Sequence, residues 1–380
     1  MKRNLLLSPG PTQIPASICE VLGRPIIHHR TPQFQDILKE AAEGLKYVFQ
    51  TKNDVLILTS SGTGGMEAAV CNLLSANDKA ITVEGGKFGE RWTELCCVYG
   101  VKTNVIKVPW GKAVSAQEIK KILDADKDIK AVFITLTETS TGVTTDVKSI
   151  AEVVKKTKAV LVVDAISGLG ATDLQTDHWG VDVVVSGSQK GLMLPPGLAF
   201  VTLSAKAWEL VPLSKNPKYY FDLTLAKKTA EKIDTPFTPA IGIIIALNES
   251  LKLIKKDGLE KLFAHYARLA QGTREAAKAL GLSLFADASC ISNVVTAINL
   301  PAGIDGEKLT KIMRDTHGIT LAGGQDDLKG KIVRLSHMGC LDEYDMLTGI
   351  SCLEKVLNKM GYKFSLGAGV AAAQKFFNTK

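Results

Sequence analysis

The chain reads as an α/β protein, a mostly parallel sheet covered by helices followed by a smaller α/β unit, and two patterns carry that reading. Short apolar runs rich in β-branched residues recur at Val55 to Leu58, Ala80 to Val83, Val105 to Val108, Ala131 to Thr135, Ala159 to Val163 and Val181 to Val185. Polar helical stretches such as 115 to 125 and 146 to 157 separate most of them, the rhythm of a parallel sheet buried on both faces. The rhythm then changes near Gly258.

The elements follow in order. Residues 34 to 49 place Phe34, Ile37, Leu38, Ala41, Leu45 and Val48 at helical spacing, so an amphipathic helix opens the larger unit. After Gly258 a long helix runs through Leu280, then strands at Val294 to Ile298 and Ile332 to Leu335, with helices at 306 to 316 and 342 to 360. The predicted division is therefore an N-terminal segment 1 to 15, a large domain 16 to 257 and a small domain 258 to 380. The tail after Lys363 takes no clear assignment, and no internal repeat or low-complexity linker is visible.

Composition narrows the class. A chain of 380 residues with 46% hydrophobic content is long enough for one large core and a second, smaller one. The net charge of +7 is spread through helical stretches rather than gathered, which argues against nucleic acid as a partner. The seven cysteines show neither CxxC pairs nor zinc-like spacing with histidine, so they read as reduced thiols of a cytoplasmic protein, and no metal site is expected. The start MKRNLLLSPGPT has too short an apolar stretch for a signal peptide, and no run is long enough to span a membrane.

Three segments carry chemistry. The first run ends in SSGTGGMEAAV, where Ser61, Gly62 and Thr63 lead into a helix. Small residues there let backbone N–H groups approach a phosphate at a positive helix end. Gly62-x-Gly64 also resembles the start of a dinucleotide fingerprint, which leaves a nicotinamide-dependent dehydrogenase as a rival, but the third glycine is replaced by Glu67 and no GK[ST] is present. Second, Asp164 stands at the carboxyl end of the apolar run LVVD, a costly place for an unpaired carboxylate and the edge at which α/β sheets bind ligands. Third, VDVVVSGSQKG brings Gln189 and Lys190 to the end of the next run, one βαβ step away and so at the same sheet edge. An amine in a crevice forms an imine with an aldehyde cofactor, and an aspartate facing a pyridine nitrogen keeps it protonated, so the three segments together suit pyridoxal 5'-phosphate (PLP).

Seven segments extend the pattern: SPGPTQIP at 8 to 15, YVFQTKN at 47 to 53, SSGTGGMEAA at 60 to 69, TETSTGV at 137 to 143, VDAISGLGA at 163 to 171, SGSQKG at 186 to 191 and KIVRLSHMG at 331 to 339. Through them essentially the whole chain resembles the class V, fold-type I PLP-dependent aminotransferases, nearest the alanine–glyoxylate and serine–glyoxylate (serine–pyruvate) group. The resemblance implies the aspartate aminotransferase-like fold with a seven-stranded sheet. It implies Lys190 as Schiff-base lysine, Asp164 as pyridinium partner, and Ser61, Gly62, Thr63 and Gln189 around the phosphate. Thr139 would bond the 3'-oxygen and Phe88 would stack on the ring, where several members carry Trp. Arg334 would grip the substrate carboxylate, as a planar guanidinium does bidentately, and Gly10 would offer backbone groups to the substrate. A homodimer would let Thr238 of TPFTP complete the phosphate cup in trans, although Thr235 stands where some members place Tyr.

The implied reaction moves an amino group from alanine or serine to glyoxylate or pyruvate by a ping-pong route. Ureidoglycine–glyoxylate and aminoethylphosphonate transamination stay as alternatives, and a catalytically silent subunit is the non-enzymatic one. Cysteine desulfurase is disfavoured because Gln189, not His, precedes the lysine. His28, His29, Arg30 and His337 are left outside the site.

Overall fold

The computed structural model describes residues 4–379. Its main sheet has seven strands: β1 Val55–Ser60, β2 Lys79–Glu84, β3 Lys102–Lys107, β4 Ile129–Thr135, β5 Val160–Asp164, β6 Val183–Gly187 and β7 Gly197–Leu203. In space they run β1-β7-β6-β5-β4-β2-β3. All neighbours are parallel except around β7, which is antiparallel to both β1 and β6. The six runs expected from the sequence are six of these strands. The seventh, β7, was not among them; it returns directly from the Lys190 turn with no helix before it.

The strands are apolar without interruption because both faces are covered. Alternate side chains point to opposite faces, so Leu161 and Val163 of β5 pack with Phe34, Leu38 and Leu45 of the helix Pro32–Phe49. Val160 and Val162 pack on the other side with Met66 and Val70 of the helix Gly62–Leu73 and with Trp92. The helix Pro32–Phe49 begins two residues before the expected start, since Pro32 suits the first turn and the Thr31 hydroxyl accepts the Phe34 N–H at 3.4 Å.

The C-terminal part builds a three-stranded antiparallel sheet from β8 Val295–Asn299, β9 Ala322–Gly323 and β10 Ile332–Ser336, in the order β8-β10-β9. The helices Leu259–Ala279, Gly306–His317 and Glu343–Lys359 lie close to their expected bounds. The unassigned tail forms a helix, Ala368–Phe377, that packs Ala373 and Phe377 into the same core. The chain's start joins this part too: Leu5–Leu6 pairs in parallel with Ile319–Thr320, and Leu5 and Leu7 are buried there. No helix among the described residues is long and apolar enough to cross a membrane, and all seven cysteines are free.

Candidate active site

The carboxyl ends of β1, β5 and β6 meet at one edge of the sheet, as parallel pairing requires, and β7 holds β1 beside β6. Between them opens a cavity of 280 Å³ lined by Gly10, Ser61, Gly62, Thr63, Phe88, Asp164, Gln189 and Lys190, together with Pro11, Arg91, Thr137, Ile166, Ser167 and Pro196. Eight of the predicted residues are thus brought together from five separate parts of the chain.

Asp164 ends β5 with its side chain buried, its Oδ1 accepting only the Ile166 N–H at 2.8 Å. Burial pushes its carboxyl up to about 7, against that hydrogen bond. Lys190 is buried as well, and burial brings its amine down to about 8; Asp164 opposes the fall while Arg334 and Arg91 add to it. Its Nζ donates to the Pro9 carbonyl. The segment SPGPT is pinned over the lysine by the Thr12 N–H to the Gln189 carbonyl at 3.2 Å and the Thr12 hydroxyl to the Lys190 carbonyl at 3.0 Å. Gly10 has φ +128°, and a Cβ there would collide with the Lys190 Nζ, so no other residue fits without displacing the amine.

Arg334, in the middle of β10, is buried; it donates through Nε to the Gly323 carbonyl at 2.8 Å and through Nη1 to the Thr139 carbonyl at 2.7 Å. It is not among the residues that line the cavity, although its charge helps to depress Lys190. Thr139 is also outside the lining, fully buried, with its hydroxyl unpartnered. Thr238 is exposed and outside the cavity of its own chain. His337 is buried against the Thr296 hydroxyl at 2.8 Å.

Sequence reasoning missed Thr137 and Arg91. Thr137 lines the cavity with an unpartnered hydroxyl, and Arg91 donates to the Thr63 hydroxyl at 3.3 Å with its guanidinium 5.2 Å from the centroid of the Phe88 ring. Arg91 lay on a helix with ordinary surface spacing, and only the packing across elements turns it inward.

The polar groups fit PLP. Thr137 Oγ1, Thr139 Oγ1 and Gln189 Oε1 are buried without partners, which costs stability unless a ligand satisfies them. The helix Gly62–Leu73 points its N-terminus at the cavity, its N-cap Ser61 makes no capping hydrogen bond, and a buried amine and carboxyl complete the donor set.

The aminotransferase class-V family model matches residues 6–339. The chain belongs to the class V aminotransferases. A protein from Synechococcus sp. named soluble hydrogenase, small subunit, is 46% identical to this class V chain over 379 residues, covering 99% of this chain and 98% of its own. The L-aspartate–glyoxylate aminotransferase of Paracoccus denitrificans is 38% identical over 381 residues, covering 99% and 96%. Among solved structures, ureidoglycine–glyoxylate aminotransferase from Bacillus subtilis superposes with a TM-score of 0.96 at 28% identity over 100% of this chain and 99% of that one. The class V chain is therefore a PLP-dependent transaminase with the aspartate aminotransferase-like fold, and the nicotinamide and silent-subunit readings fall away.

Proposed function

We propose that this transaminase passes an amino group from a small amino acid, alanine or serine, to glyoxylate or pyruvate. The observation that carries the reading is the pairing of Lys190 and Asp164 in one cavity, an amine made easier to deprotonate and a carboxyl held ready for a cationic partner. The two related transaminases described above both carry glyoxylate in their names, which supports it as acceptor.

PLP, when bound, supplies an aldehyde that captures amino groups covalently and a ring that withdraws electrons from the substrate Cα. Lys190 Nζ would take the Cα proton of the donor and pass it to the cofactor carbon that carries the amino nitrogen, and in the second half-reaction would move a proton from that carbon to the acceptor Cα. Asp164 holds the proton of the ring nitrogen. Ser61, Gly62, Thr63 and Gln189 take the phosphate with the helix N-terminus behind them. Thr139 meets the ring oxygen, Phe88 covers the ring face, and Arg334 and Gly10 orient the substrate carboxylate. We further propose a cytoplasmic homodimer in which Thr238 reaches the partner's phosphate site, with domain limits at 1–15, 16–257 and 258–380.

A second donor class is favoured by one feature. Arg91 lines the cavity without a carboxylate partner among the described residues, a fit for the distal carboxylate of aspartate. The test is the visible spectrum of the PLP-loaded protein on adding L-serine, L-alanine or L-aspartate and then glyoxylate. A band that fades with a donor and returns with glyoxylate identifies the pair; a band indifferent to all three overturns this substrate assignment. With Arg91→Leu, loss of the aspartate response alone places the distal carboxylate there.

A further inference from the structure

Glu138 is a buried carboxyl group next in sequence to the cavity-lining Thr137, and no lysine or arginine makes a salt bridge with it among the described residues. Its two oxygens are nonetheless fully used. Oε2 accepts the N–H groups of Phe88 at 3.1 Å and Gly89 at 2.9 Å. Oε1 accepts the N–H of Ser140 at 3.1 Å and its hydroxyl at 2.5 Å. The Ser140 oxygen in turn accepts the Lys87 N–H at 3.1 Å.

These bonds solve a problem of the helix Lys87–Val98. Its first-turn N–H groups have no partners inside the helix, and its N-cap, Gly86, has no side chain to supply one. Glu138 and Ser140 cap it from 50 residues away in sequence. Gly86 leaves the room they need, since a Cβ there would stand 2.6 Å from the Glu138 Cδ. All four contacts point hydrogens at Glu138 and so favour its carboxylate form at the positive end of the helix, although burial outweighs them and raises its pKa.

The same loop reaches both ends of the site. Phe88, on the capped turn, lines the cavity. Thr139, the next residue after Glu138, offers its unpartnered hydroxyl and holds Arg334 through its carbonyl. We propose that Glu138 is a positioning residue, whose cap on the Phe88 helix sets the spacing between the ring-covering face and the Arg334 carboxylate clamp. The proposal rests on the transaminase reading of Phe88 and Arg334. Glu138→Gln keeps the shape but turns one acceptor into a donor, which then faces N–H groups on one side.

The experiment compares wild type, Glu138→Gln, Ser140→Ala, Phe88→Ala and the Glu138→Gln/Phe88→Ala double variant, each loaded with PLP. The readouts are PLP affinity, the visible circular dichroism of the bound cofactor, and kcat and KM for the amino donor. The expected result for Glu138→Gln is PLP binding weakened roughly 10- to 100-fold, a diminished visible dichroic band and a raised donor KM. Ser140→Ala should move the same readouts less, and the double variant should be no worse than the worse single one. A lower melting temperature with wild-type dichroism and wild-type KM at full PLP occupancy would show a merely structural cap and overturn the proposal. If Glu138→Gln does not fold, unchanged readouts in Ser140→Ala overturn it equally. No visible band in the wild type would sink the transaminase reading itself, and this inference with it.

Discussion

Arg334 donates through Nη1 to the Thr139 carbonyl at 2.7 Å, so the β10 strand of the C-terminal part is tied directly to the loop that follows β4 of the main sheet. With Nε spent on Gly323, the guanidinium is fixed in plane, and no hydrogen bond among the described residues uses Nη2.

Removing that fork should act on substrate rather than on cofactor. Arg334→Ala is expected to raise the KM for the amino donor by roughly 10- to 100-fold, the loss of a charge-assisted hydrogen-bond pair. PLP affinity should change little. Steady-state kinetics beside a PLP titration separates the two, and an unchanged KM would remove Arg334 from the substrate site. Lysine at this position should rescue poorly, because it has the charge without the fork.

Lys190→Ala should abolish covalent retention of the cofactor and lower turnover by at least about 10³-fold. Mass spectrometry after borohydride treatment reads the first effect, expected as the PLP adduct on wild type and none on the variant. Normal turnover by the variant would sink the mechanism.

The pH dependence of the cofactor-free protein follows from Asp164. Its folded value, about 7, lies above the ordinary carboxyl value of 3.8. The stability it contributes is therefore complete below about pH 4 and is lost as pH rises through 7. Asp164→Asn removes that loss while its oxygen can keep the Ile166 N–H. Without PLP the variant should melt higher than wild type at pH 8, with the gap narrower at pH 5, and it should bind PLP more weakly at both. A variant that melts lower at pH 8 contradicts the assignment of the shift to burial.

The dimer can be tested by its mass and by one variant. Sedimentation is expected to give twice the chain mass of 40.8 kDa. If Thr238 serves the partner's phosphate, Thr238→Ala should weaken PLP binding even though the residue is exposed and outside its own chain's cavity. Wild-type PLP affinity in that variant would return Thr238 to the surface.

What could be read from the sequence divides along physical lines. β5 and β6 were legible because a strand covered on both faces is apolar throughout, and a charge such as Asp164 at its end stands out. β7 was not, because it follows β6 through the SQKG turn without the intervening helix that the rhythm leads one to expect. The pairing of Leu5–Leu6 with Ile319–Thr320 is too short to leave a period. The tail helix is rich in alanine and glycine and shows its apolar face only once Phe377 has a core to enter. In the site, Lys190 and Gly62 carried local signals. Glu138, Thr137 and Arg91 acquire meaning only from what packs against them from distant segments.

The antiparallel strand β7 also fixes the order in which this molecule can be finished. β1, which leads into the phosphate cup, has β7 as its only neighbour in the sheet among the described residues, so a nascent chain ending before Gly197 leaves the cup beside an unpaired edge. The SPGPT strap must wait still longer, for its Leu5–Leu6 anchor pairs with residues made more than 300 positions later. The strap over the lysine is thus anchored only once Ile319 and Thr320 are in place, long after the lysine itself has been made.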